Sequence, residues 1–205
     1  NCVSADDSKM YDSGAMYSSG EGSAETVTVS DYAAYISDKT DLPSAKENIT
    51  IKANAFISAE HAEVRNYLDE NNTVFWNGGS ITYRFNVQNG GRYNLSLKYQ
   101  CLSDNNMNAE IGLLIDGKLP FGEASNIEIK RMWTNAAEVR KDDFGNEFAP
   151  EQTAYEGFLI IPLYDNTGVA LDPYELCLES GNHEITLVLN SGKLALSEIA
   201  LTVPD

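Results

Sequence analysis

The sequence predicts an all-β chain folded as an antiparallel β-sandwich or jelly roll, with one short helix near its N-terminus. Three observations carry that expectation. Apolar residues alternate with period two through most segments after residue 49, turn-forming dipeptides separate those segments, and no long helical pattern occurs.

Residues 1–29 read as a low-complexity tether rich in Ser, Gly and Asp, and residues 30–205 as a single domain, the size expected of one full core. Ser30 is placed to cap a short docking helix near 31–38, whose apolar face is Tyr32, Ala33, Tyr35 and Ile36. Two helical turns are not stable alone, so this helix must pack on the body that follows. The strands then come in order. Ile49, Ile51 and Ala53 open the pattern; Ile81, Tyr83, Phe85 and Val87 continue it; and Tyr93, Leu95, Leu97, Tyr99 and Cys101 form a long half-buried strand. Ile111, Leu113 and Ile115 follow, then Ile185, Leu187 and Leu189. In the last strand the phase slips between Leu194/Leu196 and Ile199/Leu201/Val203, as a β-bulge would cause. Residues 157–165, GFLIIPLYD, are apolar on both faces and read as a central strand ending at Pro162. Turns are marked by Asn77-Gly78-Gly79, Asn89-Gly90-Gly91, Asp116-Gly117, Ser180-Gly181-Asn182 and Ser191-Gly192.

A net charge of −17 and a pI near 4.3 exclude nucleic acid, whose phosphates need a basic footprint, and argue against an anionic membrane surface. A neutral ligand is indifferent to that field. No run of 18 apolar residues is present to span a bilayer. Cys2, followed by SADDSKMYDSGAMYSSGEGSAET, resembles a bacterial lipoprotein start: a lipid anchor at Cys2 and then a tether, although Asn1 departs from the small residue expected before such a cysteine. The alternative is an ordinary unstructured terminus. The chain is therefore expected to be extracellular, tethered to a cell surface. Cys101 and Cys177 fall in predicted strands, as a disulfide or as two buried free thiols.

Catalytic chemistry finds little to stand on. His61 and His183 lack a second histidine or a cysteine at metal-ligand spacing, and no nucleophile elbow, phosphate loop, CxxC or dinucleotide fingerprint is present. Among 31 carboxylates some pair within glycosidase distance is inevitable, so pairing alone is uninformative. Asp142, Asp143, Glu147 and Glu151 sit in a solvated segment, without the burial that raises a general acid's pKa. The expectation is a protein that is not an enzyme and needs no cofactor.

One segment stands apart. Arg131 to Gln152, RMWTNAAEVRKDDFGNEFAPEQ, is too polar for a core strand and too long for an idle loop. It sets Trp133, Phe144 and Phe148 among fork-shaped polar side chains. Sugar rings stack C–H groups on aromatic faces while their hydroxyls bond amides and guanidinium groups. The candidate ligand-binding residues are therefore Trp133, Arg131, Asn135, Asn146 and Gln152, with Trp76 at a strand end beside Asn77-Gly78-Gly79. Each tryptophan has a plainer alternative, as a plug at one end of the core. For the whole segment the alternative is a brace that folds on the body or docks a neighbour, burying Phe121, Phe144 and Phe148.

The progression of the helix with Tyr32 and Tyr35, the strand ITIKANAF, the FNVQNGGRYNLSLKYQ hairpin, LLIDGKLPF, the Arg131–Gln152 motif and LESGNHEITLVL…LALSEIAL resembles the galactose-binding-like jelly rolls of carbohydrate-binding modules of families 6 and 35. It is more closely similar to the N-terminal module of solute-binding lipoproteins of Gram-positive sugar importers. The resemblance spans roughly residues 30–203 and implies a surface-displayed, non-catalytic carbohydrate-binding module. The module would take a neutral oligo- or polysaccharide and sit beside a neighbouring domain of a larger polypeptide, an excised boundary that the terminal TVPD also fits. Many such modules carry an acidic pair for structural calcium in the first strand. Here Lys52 and Asn54 flank Ala53, and a cation repels Ca²⁺, so no metal is expected.

Overall fold

The computed structural model describes residues 29–68, 70–102, 106–166, 168 and 170–204. The predicted tether and Cys2 lie, apart from Val29, outside the described residues. Helix α1 (Tyr32–Ser37) is followed by β1 (Ile49–Lys52), β2 (Phe56–Ala59), β3 (Ala62–Tyr67) and β4 (Glu70–Trp76). Then come β5 (Gly79–Val87), β6 (Gly91–Cys101), β7 (Ala109–Ile115) and, after a 3-10 turn at Gly122–Ser125, β8 (Ile127–Ile129). Short strands β9 (Trp133–Asn135), β10 (Arg140–Lys141), β11 (Glu147–Phe148) and β12 (Gln152–Ala154) precede β13 (Leu159–Pro162) and β14 (Glu175–Leu178). The long strands β15 (Gly181–Ser191) and β16 (Leu194–Thr202) close the chain.

Two antiparallel sheets face each other. In the five-stranded sheet the order is β2-β5-β15-β7-β8. In the larger sheet β6 and β16 pair at the centre; β1 and β4 lie end to end along the other side of β16, with β3 outside β4. β13 and β14 lie end to end along the other side of β6. The alternation seen in the sequence is the inward face of these strands: Ile81, Tyr83, Tyr93, Leu95, Leu97, Ile111, Ile185, Leu187, Leu196 and Ile199 are all buried. The outward face of the β5–β15 pair carries matched polar partners instead. Thr82 meets Thr186, Arg84 meets Glu184, and Asn86 meets Asn182. A bulge falls between Leu196 and Glu198, where the phase slip placed it.

Three expectations are corrected. FNVQNGGRYNLSLKYQ is not a hairpin: β5 and β6 belong to opposite sheets, and Asn89-Gly90 is a crossover between them. Both strands bury alternate residues in the same core, but from opposite sides. Residues 159–162 form an edge strand, not a central one, with Leu159 and Ile160 exposed. Pro162 has no N–H to donate, which an edge tolerates and a central ladder does not. Finally α1 is capped by Asp31, whose carboxylate accepts the Ala34 N–H at 2.8 Å, and not by Ser30. Cys101 and Cys177 do not form a disulfide with each other; Cys177 pairs in register with Arg92, at the far end of β6 from Cys101.

Helix α1 docks through aromatic contacts. Tyr32 packs edge-on against Phe121 and Tyr174, with ring centroids 4.9 and 4.7 Å away, and Tyr35 lies 5.3 Å from Phe121. The same two tyrosines serve the edge of β14. The Glu175 N–H donates to the Tyr32 hydroxyl at 2.9 Å, and the Cys177 N–H donates to the Tyr35 hydroxyl at 2.8 Å. Burial pushes the Tyr35 phenol well above the ordinary range. Replacing Tyr35 with Phe keeps the ring and removes the acceptor, so the Cys177 N–H is left unpaired. We expect a loss of about 1–3 kcal/mol, read as a lower urea midpoint with an unchanged slope. An unchanged midpoint would show that this hydroxyl does not carry the edge.

Candidate functional site

The Arg131–Gln152 stretch, expected as a loop, is a two-stranded arm. Its backbone groups pair with each other, which is how a long polar segment keeps order outside the sandwich. At the base, β9 and β12 pair Trp133 with Ala154, Thr134 with Thr153 and Asn135 with Gln152. The Tyr155 N–H to Met132 carbonyl bond and the Ala136 N–H to Glu151 carbonyl bond extend the ladder by one residue each way. Towards the tip, β10 and β11 pair Arg140 with Phe148 and Lys141 with Glu147, the latter also an ion pair at 2.9 Å. Neither pair joins a main sheet. The arm is rooted by two side chains of the body. Tyr99 donates its hydroxyl to the Lys130 carbonyl at 2.8 Å, and Asn108 accepts the Arg131 N–H at 2.8 Å.

The tip is built by one carboxylate. Asp142 accepts the N–H groups of Phe144 and Asn146 and the side-chain amide of Asn146, while Gly145 turns the chain with φ +83°. The Asn146 amide foremost, then the backbone donors, holds the Asp142 carboxyl below its ordinary range. Asn146, expected to bond a ligand, therefore commits its amide to the turn: a short polar side chain beside a chain reversal satisfies local backbone first. Phe144 is 90% exposed and Phe148 58% exposed, so the arm does not fold its aromatics onto the body; Phe121 is buried in the core beside α1 instead.

At the base, the side chains of Trp133, Asn135, Ala154 and Gln152 share one face, since residues two apart on a strand point the same way. Trp133 is 42% exposed, and the residue opposite it, Ala154, is too small to cover an indole. The Gln152 amide donates to the Asn135 carbonyl oxygen at 2.5 Å. That bond uses one donor and one acceptor and leaves the Gln152 carbonyl oxygen and the Asn135 amide nitrogen for other partners. The pair stands two residues along from the indole, roughly 7 Å at strand rise. Arg131 lies half-buried at the root of the arm.

Trp76 is elsewhere and differently placed. It is 1% exposed, packed in the core at the end of β4, so its ring faces offer nothing to a ligand. It does form part of the wall of a hollow of about 460 Å³ at one pole of the sandwich. There the β2–β3, β4–β5 and β15–β16 turns meet the end of β6. The apolar wall is Trp76, Leu102 and Leu194, and the polar groups are His61, Glu63, Arg65, Asn77 and Lys193. The Arg65 guanidinium stacks over the Phe75 ring at 3.6 Å. Sequence reading missed these residues as a group, although a signal existed. His61, Asn77 and Lys193 each stand in or beside a strand-ending turn, and strand parity puts those turns at one pole.

The arm and hollow provide ring-stacking and hydrogen-bonding surfaces. Among the described residues, the carboxylates whose pKa departs from the ordinary value, Glu70, Asp116 and Asp142, are all held low, the opposite of what a proton donor at neutral pH needs. Among the described residues no group of three or more His, Cys, Asp or Glu side chains is gathered to hold a metal ion.

No family model matches the chain. The curated proteins contain no match to it. Among solved structures it is similar to the Podospora anserina GH26-CBM35 β-(1,4)-mannanase, at 15% identity and a TM-score of 0.49, over 77% of this chain and 28% of that one. The C-terminal CBM6 of LamC, a marine laminarinase from Zobellia galactanivorans, is similar at 11% identity and a TM-score of 0.43, over 76% of this chain and 99% of that one. CBM35 from Paenibacillus barcinonensis is similar at 11% identity and a TM-score of 0.45, again over 76% and 99%. The sandwich assignment rests on the strand pairing described above.

Asp142 makes the arm testable by pH. Its folded-state carboxyl titrates below the unfolded one, so its contribution is present above the ordinary value of about 3.9 and is lost as pH falls through the folded value. On acidification below that range the Phe144 and Asn146 amide resonances should move together with the Asp142 carboxyl. Amides that stay fixed while Asp142 titrates would refute its role in the turn.

Proposed function

We propose that this chain is a non-catalytic carbohydrate-binding module for a neutral oligo- or polysaccharide, and that it works on a bacterial cell surface within a larger sugar-uptake polypeptide. One observation carries the ligand class. A partly exposed indole and a half-satisfied amide pair share one face of the two-stranded arm, roughly two residues of strand rise apart. Trp133 stacks on a sugar ring, and the free Gln152 oxygen and Asn135 nitrogen supply one acceptor and one donor for vicinal hydroxyls. The resemblance of the chain from the N-terminal tyrosines to the closing strands supports the surface-displayed context. So does a net charge of −17, which disfavours anionic partners and leaves neutral sugars unaffected.

The hollow beside Trp76 is the rival position for the same ligand, favoured by its concavity and its polar rim over an apolar wall. A panel of immobilised polysaccharides separates the two. Trp133→Ala should reduce retention tenfold or more while moving the unfolding temperature by less than about 2 °C, because a solvent-facing substitution changes stability little. Loss of retention in Asn77→Ala, with Trp133→Ala unaffected, would move the site to the hollow. Failure of the wild-type protein to bind any glycan would overturn the reading.

In that event the second reading takes over, an interaction module that docks a neighbouring domain through the arm. Its specific support is the pair of exposed aromatics Phe144 and Phe148 on an internally braced ribbon, since exposed apolar side chains on an ordered element mark contact surfaces.

A further inference from the structure

At the pole opposite the hollow, three turns meet around one imidazole. His183, near the start of β15, has its Nδ1 2.7 Å from an Asp116 carboxylate oxygen and its Nε2 3.0 Å from the Glu179 carbonyl oxygen. Both partners are acceptors only. A neutral imidazole carries one N–H, so it serves one of them and turns a lone pair on the other; only the imidazolium donates to both. The carboxylate is the stronger acceptor, so the last proton stays on Nδ1 and the Glu179 bond is the one lost.

The two acceptors belong to separate turns. Asp116 and Gly117, with φ of +50° and +75°, form the tight turn after β7, closed by reciprocal bonds between Ile115 and Lys118. Asp116 is further tied to β15: its other carboxylate oxygen accepts the Glu184 N–H, and its own N–H donates to the Glu184 carbonyl, both at 2.8 Å. Glu179 lies in the β14–β15 turn, and that turn sits on the β5–β6 crossover. A Cβ at Gly90 would come within 3.1 to 3.2 Å of Leu178, Glu179 and Ser180 backbone atoms. The other charged residues of the elements that meet here are Glu184 on the same strand, paired with Arg84 of β5 at 2.6 Å, and, in the adjoining turns, Glu179 and Lys118. The Phe85 ring, 6.0 Å away centroid to centroid, packs beside the imidazole.

We propose that His183 is a proton-operated latch, which in its doubly protonated form fastens the β7 turn and the β14–β15 turn together and on losing a proton releases the latter from the pole. The latch has two limits of opposite sign. Below its ordinary range the Asp116 carboxyl becomes protonated and stops attracting the ring. Burial alone would raise that titration, but the Glu184 N–H and the His183 ring outweigh it and hold it low. On the alkaline side, loss of the second ring proton sets the Nε2 lone pair against the Glu179 carbonyl oxygen. The Glu179 bond is therefore made by the imidazolium and lost by the neutral ring. Between those limits the latch is closed.

The chain has only two histidines, so ring-nitrogen NMR is unambiguous once His61→Gln removes the other. At pH 5.5 both nitrogens of His183 should carry protons. On raising the pH to 8.5 only Nδ1 should remain protonated, and the Ser180 and Gly90 amides should shift with the same midpoint. In parallel, between those pH values the wild-type unfolding temperature should fall at least about 3 °C more than that of His183→Phe, which keeps the ring beside Phe85 but has no N–H to lose. A neutral His183 at pH 5.5, amides that do not follow it, or an identical pH dependence in the variant would each overturn the latch. Should His183→Phe fail to fold, the wild-type titration alone decides.

Discussion

The pairing of β6 with β16 is the constraint on which the rest of the sandwich depends. These two strands run side by side from Leu194 opposite Cys101 to Thr202 opposite Asn94. Every other strand of the larger sheet except β3 takes its register directly from one of them. Because a slip of one residue would turn each buried leucine outward, the register is held by the apolar face itself. The bulge at Ser197 matters for the same reason: it shifts the alternation of β16 by one residue halfway along. Leu194 and Leu196 thus enter the core beside β4, and Ile199 and Leu201 enter it beside β1. Without that extra residue one strand could not serve two end-to-end neighbours with opposite phase.

A sandwich has edges, and this one closes several with side chains that imitate a strand. Tyr32 and Tyr35 accept the outward N–H groups of β14. On the other sheet Asn166 does both halves of the task along β8, accepting the Glu128 N–H and donating to the Asn126 carbonyl. A strand edge left bare is a template for pairing with another chain. The six-residue helix is thus explained by what it covers. It is too short to persist alone and is kept by two hydroxyls and an aromatic cluster.

The fold was legible in the sequence because burial on one face leaves a period of two, and glycine-asparagine turns interrupt it. What was not legible followed from pairing partners, which alternation does not encode. A run such as LIIP looks identical on an edge and in the middle of a sheet, and a glycine turn looks identical as a hairpin and as a crossover. The candidate site divides the same way. Trp133, Asn135 and Gln152 were drawn together by composition, and antiparallel pairing then set them on one face; Asn146 met the same compositional test but sits where a chain reversal claims its amide. Trp76 shows the limit most plainly, since an aromatic at a strand end reads alike whether its ring points into the core or out of it.

The two ends of the molecule therefore separate recognition from integrity. The arm stands outside both sheets, so a ligand stacked on Trp133 touches few of the groups that hold the core. Binding there and folding are close to additive, as expected for sites that share no partners. The opposite holds at the pole of His183, where each hydrogen bond links turns belonging to different strands and any loss is felt by the crossover beneath. An arm braced by its own hydrogen bonds also restricts what it can achieve. Its backbone is satisfied before a ligand arrives, so little ordering entropy is spent on binding. The contact remains a single open face, with water free to compete for every hydroxyl. On the proposed reading, such a surface would hold one ring weakly.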